Sequence, residues 1–214
     1  EMCIRDSSWT IPSGELNATA AIKIDLNKIE ELGSLYDDYV LPLRITSSTG
    51  EPMGQNKYTK VLAHIGFKND YSGTYSGKGI ITQQGTTYTT EITSTQLYAI
   101  NNNICYMFVG EKTRANTPDY LNYVVEIKRD EWGGITLSSE VGSLEFKSYN
   151  SKLSRKYTYN YNDQRYYTEI TTVELAYEYL DKTQSEDLRM TFEGSFSMSR
   201  DVLRVEYPNV DVEE

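Results

Sequence analysis

The stretch 187–202, DLRMTFEGSFSMSRDV, decides the fold. Leu188, Met190, Phe192, Phe196 and Met198 occupy even positions, whereas Arg189, Thr191, Glu193, Ser195 and Ser197 occupy odd ones. A period of two sends successive side chains to opposite faces, so the segment reads as a β-strand with one dry and one wet face. The same pattern runs upstream. In RYYTEITTVELAYEYL, residues 165–180, the odd positions Val173, Leu175, Tyr177 and Tyr179 form the apolar face. RKYTYNY and SLEFKSY precede it. GGITLSS follows DYLNYVVEIKRD across Glu131-Trp132-Gly133, and NICYMFVG follows TQLYAI across Asn101-Asn102-Asn103. TYTTEIT follows GIITQQ across Gln84-Gly85. Roughly ten consecutive short strands with hairpin loops and one apolar face predict an up-and-down antiparallel barrel. A flattened two-sheet sandwich is the alternative.

The first third reads differently. Trp9 and Ile11 alternate with Thr10 before the turn Pro12-Ser13-Gly14, and Ala18, Ala20, Ile22 and Ile24 follow at period two. NKIEELGSLYDD suggests a short helical or coil crossover that Gly33 ends. YVLPLRITSSTG reads as a strand whose Pro42 points to an edge or a bulge, and YTKVLAHIGF as the last strand of this part. Four short strands make an incomplete sandwich, because an immunoglobulin-like domain takes about seven. The expectation is a partial immunoglobulin-like domain over residues 1–70 with its first strands missing. A barrel follows over 71–206 and an acidic, disordered tail over 207–214. KNDYSGTYSGKG, residues 68–79, marks the joint.

Composition narrows the function. With 21 basic and 31 acidic residues, the formal net charge is −10. That argues against nucleic acid, which needs clustered Lys and Arg, and against docking on an anionic membrane surface. It is compatible with a neutral partner such as a glycan. Two cysteines build no disulfide framework, and Cys105, inside NICYMFVG, reads as a buried free thiol. No run of about 18 apolar residues predicts a membrane helix, and no signal segment is recognisable.

WTIPSGELNATAAIKID, then YVLPLRITS, then KNDYSGTYSGKG, resembles a group of two-domain Bacteroidetes proteins. These join an immunoglobulin-like domain of unknown function to a lipocalin-like β-barrel. The resemblance covers most of the chain. It implies an outer-membrane surface lipoprotein, at the cell surface or in the periplasm, with glycan binding or presentation in polysaccharide utilisation as its role. Membrane attachment would run only through a lipid anchor that this chain lacks. The resemblance brings no catalytic motif.

The residues themselves point away from catalysis. His64 is the sole histidine, so any Ser-His-Asp chemistry would run through it. Zinc sites built on His and Cys are excluded by count, and no cofactor or metal is expected. Glycoside hydrolysis needs two carboxylates. Here Glu126, Glu174, Glu178 and Glu193 fall at strand-exterior or turn positions and read as solvated.

The aromatic residues carry the remaining signal. The chain has 19 Tyr against 5 Phe, and a tyrosine offers a flat apolar face with a polar tip. RKYTYNYNDQRYYTEI, residues 155–170, holds five of them. A three-residue loop at Asn162-Asp163-Gln164 would pair Tyr159 with Tyr167 and turn Tyr157, Tyr159 and Tyr161 inward. A loop of two or four residues would turn them outward, beside Tyr166. Trp132 sits at a hairpin tip, either folded back over the barrel end or exposed as a platform for a sugar ring, with Asp130 and Glu131 as hydroxyl acceptors. The candidate glycan-binding residues are Trp132, Tyr159, Tyr161, Tyr166 and Tyr167. A spacer or assembly domain without ligand, or an accessory module of a glycoside hydrolase, is the competing reading.

Overall fold

The computed structural model describes residues 39–45, 47, 59–130, 132–183 and 186–213. The strands and crossover read over residues 8–33, together with Cys3 and Glu131, lie outside the described residues. What is described is all-β: among these residues there is no α-helix, only short 3-10 turns at 120–123, 142–144 and 204–206.

Strands β1 (Tyr39–Arg44) and β2 (Lys60–Ile65) make a two-stranded antiparallel sheet with Pro42 opposite Leu62. Among the described residues β1 pairs with β2 alone. The proline has no N–H to donate, so at Pro42 this ladder has no N–H donor.

Ten strands form the second sheet: β3 (Gly73–Gln83), β4 (Thr89–Ala99), β5 (Ile104–Phe108), β6 (Val124–Arg129), β7 (Ile135–Ser138), β8 (Lys147–Ser148), β9 (Lys152–Tyr159), β10 (Tyr166–Asp181), β11 (Leu188–Leu203) and β12 (Val212–Glu213). From β3 the chain meanders to β7, resumes at β9, and returns through β10 and β11 to pair β11 with β3. First and last long strands thus join, as in an up-and-down barrel. The ring stops short of closure, because β7 and β9 form no ladder. After Ser138 the chain turns at 142–144, and the two-residue β8 pairs with Tyr177 and Glu178 of β10. This detour brings β8 beside β7 without a register the two can share.

One further expectation is corrected below. The Gly- and Ser-rich stretch 68–79 contains the first half of β3. Its glycines serve packing: Gly79 faces Gly194 across the ladder, and a Cβ on Gly79 would stand 2.6 Å from the Phe192 ring. The bare backbone makes room for Phe192 and Phe196, stacked 6.2 Å apart at 6°. The acidic tail is not wholly unstructured. Val212 and Glu213 pair in parallel with Tyr157 and Thr158, and Glu213 meets Lys156 at 3.0 Å. A local ion pair thus offsets the tail's acidity.

The alternation in β10 and β11 is as read. Val173, Leu175, Tyr177, Tyr179, Met190, Phe192 and Phe196 are buried. Tyr177 stacks on Phe192 at 4.7 Å, and Gly110 donates its N–H to the Tyr177 hydroxyl at 3.0 Å. Burial pushes the Tyr177 and Tyr179 hydroxyls far above the ordinary phenol value. Each such ring contributes roughly 1.5–3 kcal/mol of burial free energy. Cys105 is buried with a free thiol, pushed up to about 11 by burial against a hydrogen bond from Asn69.

The ring-bearing end of the sheet

Strand registers bring four features to one end of the large sheet. These are Tyr71 before β3, the 101–103 turn, the 130–134 turn and the 160–165 turn. Side-chain bonds tie the first two: Tyr71 donates its hydroxyl to the Asn102 carbonyl at 2.7 Å, and Asn69 donates to that of Asn101 at 2.8 Å. Burial pushes the Tyr71 hydroxyl up to about 12.

Each candidate ring has a definite place. Asp130 Oδ1 accepts the N–H groups of Trp132 at 2.9 Å and Gly134 at 2.8 Å, and Gly133 takes φ +86°. This locks the hairpin tip and leaves the Trp132 ring 93% exposed rather than folded back. Asp130 is therefore a turn residue before it is anything else.

Tyr161 is 85% exposed in the neighbouring loop. There Asn160 Oδ1 accepts from the backbone of Asn162 and Asp163, and Asp163 chelates Arg165. The guanidinium hydrogen bonds hold the Asp163 carboxyl down at about 2. Tyr159 pairs with Tyr167 and Tyr157 with Glu169, the inward register, so all four share a face with Val173. Tyr166 points to the opposite face, under the Arg165 guanidinium at 5.6 Å, and does not join them.

Tyr159 and Tyr167 lie 5.9 Å apart with Arg204 over both, 5.3 and 4.7 Å from the centroids. The register thus brings Tyr159 and Tyr167 together, and the topology puts Trp132 and Tyr161 on turns at the same end.

Beneath these rings the interior is charged. Glu169 is fully buried and accepts from Arg200 Nε at 2.9 Å, the Tyr157 hydroxyl at 3.0 Å and the Thr171 hydroxyl at 3.3 Å. Arg155 stands 3.8 Å away and 3.5 Å from Asp70. Burial alone would lower the Arg155 pKa, but Glu169 and Asp70 outweigh it and the net direction is up. Burial and the bond to Glu169 raise Tyr157. Sequence reasoning missed this network because it sought the inner face among apolar residues. The signal was parity: Arg155 and Glu169 share the odd positions of Tyr157, Thr171 and Val173.

A concavity lies elsewhere. A groove of about 510 Å³ runs between β4 and the 108–116 segment, with Thr93, Thr95, Gln96, Tyr98, Phe108 and Asn116 among its walls. It exists because β4 pairs with β5 only at Tyr98 and Ala99, leaving the strand's earlier edge open. Tyr98 stacks on Tyr106 at 4.9 Å, and the Arg114 guanidinium lies over the Tyr98 ring at 5.7 Å. These rings are occupied with one another, so the groove presents hydroxyls and amides more than free ring faces. Trp132 and Tyr161 are the most exposed Trp and Tyr rings among the described residues. His64 is exposed on β2. No helix of the described residues is long and apolar enough to cross a membrane.

A family model for a C-terminal domain matches residues 59–197, and a model for an N-terminal domain matches residues 3–52. The C-terminal model covers more than half of the chain, which belongs to the family that model describes. It is similar to a multidomain protein including DUF1735 from Bacteroides ovatus, at 18% identity and a TM-score of 0.63 over 79% of this chain and 60% of that one. It is also similar to an auxiliary nutrient binding protein from Bacteroides thetaiotaomicron, at 17% identity and a TM-score of 0.61 over 78% and 58%. A further Bacteroides ovatus protein of unknown function matches at 18% identity and a TM-score of 0.65, over 80% of this chain and 60% of that one. At these identities the likeness is one of fold. The chain spans 58–60% of the length of these three structures. No curated protein matches it.

Proposed function

We propose that the chain is part of a non-catalytic binding protein of the bacterial cell envelope, which holds a glycan at the ring-bearing end of its barrel-like domain. One observation carries the reading: Trp132 and Tyr161, 93% and 85% exposed, stand on locked turns at the same end as the Tyr159–Tyr167 pair. Large rings are normally driven inward, and open faces flanked by polar groups suit the C–H face and hydroxyl rim of a sugar. The nutrient-binding relative is consistent with such a role, and with a place at the cell surface or in the periplasm through a lipid anchor. Three carboxylates at this end are engaged in structure. Asp130 holds a turn, Asp163 holds Arg165, and Glu169 is enclosed by arginines, which favours binding over hydrolysis.

The flank groove is the second reading, favoured by its size and its hydroxyl-rich walls. Calorimetry with neutral and acidic polysaccharides separates the two. Binding at the rings predicts that Trp132→Ala and Tyr161→Ala each weaken affinity by about 1–2 kcal/mol, while Tyr161→Phe changes little. Binding in the groove predicts instead that Gln96→Ala weakens it and Trp132→Ala does not. A wild type that binds no glycan would leave the spacer reading standing.

A further inference from the structure

Resting on that reading, we propose that Arg204 recognises an oxyanion on the ligand, so that the glycan taken is an acidic one bearing carboxylate or sulfate groups. The argument begins with what Arg204 covers. Its guanidinium lies over both Tyr159 and Tyr167, so that side of the pair offers a ligand a cation rather than a bare ring. One nitrogen, Nη1, donates to the Gln164 carbonyl at 2.9 Å, which fixes the orientation of the plane.

Three other arginines at this end have carboxylates: Arg155 and Arg200 share Glu169 and Asp70, and Arg165 has Asp163, while Arg129 keeps its Nε buried at the end of β6. Arg204 has no carboxylate partner among the described residues, although it is half-buried and ordered by two rings. Its remaining donors are not among the buried groups lacking a partner, so they reach the surface. A planar, pre-oriented fork with open N–H groups matches a carboxylate or sulfate, which can accept two of them at once. The net charge of −10 opposes an anion at long range, but that field is screened beyond roughly 8–10 Å at physiological salt. A contact at hydrogen-bond distance is screened far less.

The test uses the whole chain and four probes: polygalacturonate, its fully methyl-esterified form, dextran and dextran sulfate. The wild type should bind polygalacturonate at least tenfold more tightly than the ester, a comparison that needs no variant. Arg204→Gln should abolish that preference by weakening polygalacturonate binding at least tenfold relative to the ester, and Arg204→Lys, which keeps the charge but loses the fork, should fall between. A preference for dextran sulfate over polygalacturonate would assign the oxyanion as sulfate. Equal binding of acid and ester by the wild type, weakened by Trp132→Ala but not by Arg204→Gln, would overturn the role of Arg204 and leave glycan binding intact. Binding of none of the probes would remove both.

Discussion

Glu169→Gln is the most informative single change to the barrel-like domain. The carboxylate is fully buried between Arg200 and Arg155, 2.8 and 3.8 Å away. Gln keeps the shape and one acceptor oxygen but removes the charge, leaving two guanidiniums with only Asp70 nearby. Breaking a buried pair by removing one partner costs about 3–5 kcal/mol. Arg200 and Arg155 retain 29% and 15% side-chain exposure, so water compensates part of the loss. The expected cost is about 2–4 kcal/mol, below the figure for a fully dry pair. Urea denaturation at pH 7 measures it as a lower midpoint at constant slope. The double variant Glu169→Gln, Arg200→Gln should cost clearly less than the sum of the singles, since the second change removes a stranded cation. A loss below about 1 kcal/mol, or strict additivity, would refute the reasoning and make the network a surface cluster of little weight.

Further outcomes are expected. Phe192→Ala should cost about 3–5 kcal/mol in the same assay, because the ring fills the space over the facing glycines; a loss under 1 kcal/mol would mean the site collapses without it. Gly110→Ala should destabilise by about 1–3 kcal/mol, since φ is +57° there and the new Cβ would lie 2.5 Å from the Tyr179 hydroxyl. Asp181, buried and bonded to Lys112 and Thr183, has its pKa lowered because these partners outweigh the opposing effect of burial. Its contribution is therefore present above the unfolded value of about 3.9 and lost as pH falls through the lower folded value. Asp181→Asn should thus be destabilising at pH 7, with the gap to wild type shrinking below about pH 4; a gap unchanged in strong acid would contradict the ion pair.

Much of the fold is legible because its signal is local. Period-two alternation in β10 and β11 names the buried residues directly, and the Asn-Asp-Gln turn sets the register that faces Tyr159 inward. What stays hidden depends on partners distant in sequence. The open seam between β7 and β9 follows from how β8 docks on β10, which no residue of β7 announces. The glycines of 68–79 show no packing role until Phe192 and Phe196, more than a hundred residues away, arrive to fill the space. At the candidate site, the exposed Trp132 and Tyr161 follow from short polar turns. Arg204 does not, because its importance lies in the two rings beneath it and the carboxylate it lacks.

The central claim is where the ligand sits. Titrating isotope-labelled protein with a polysaccharide found to bind, and following backbone and indole resonances, reads this directly. The account predicts progressive shifts at Trp132, Tyr161, Gln164 and Arg204, with Thr93, Thr95 and Gln96 on the β4 edge unmoved. Shifts confined to the β4 edge, with the Trp132 indole unchanged at saturation, would contradict it.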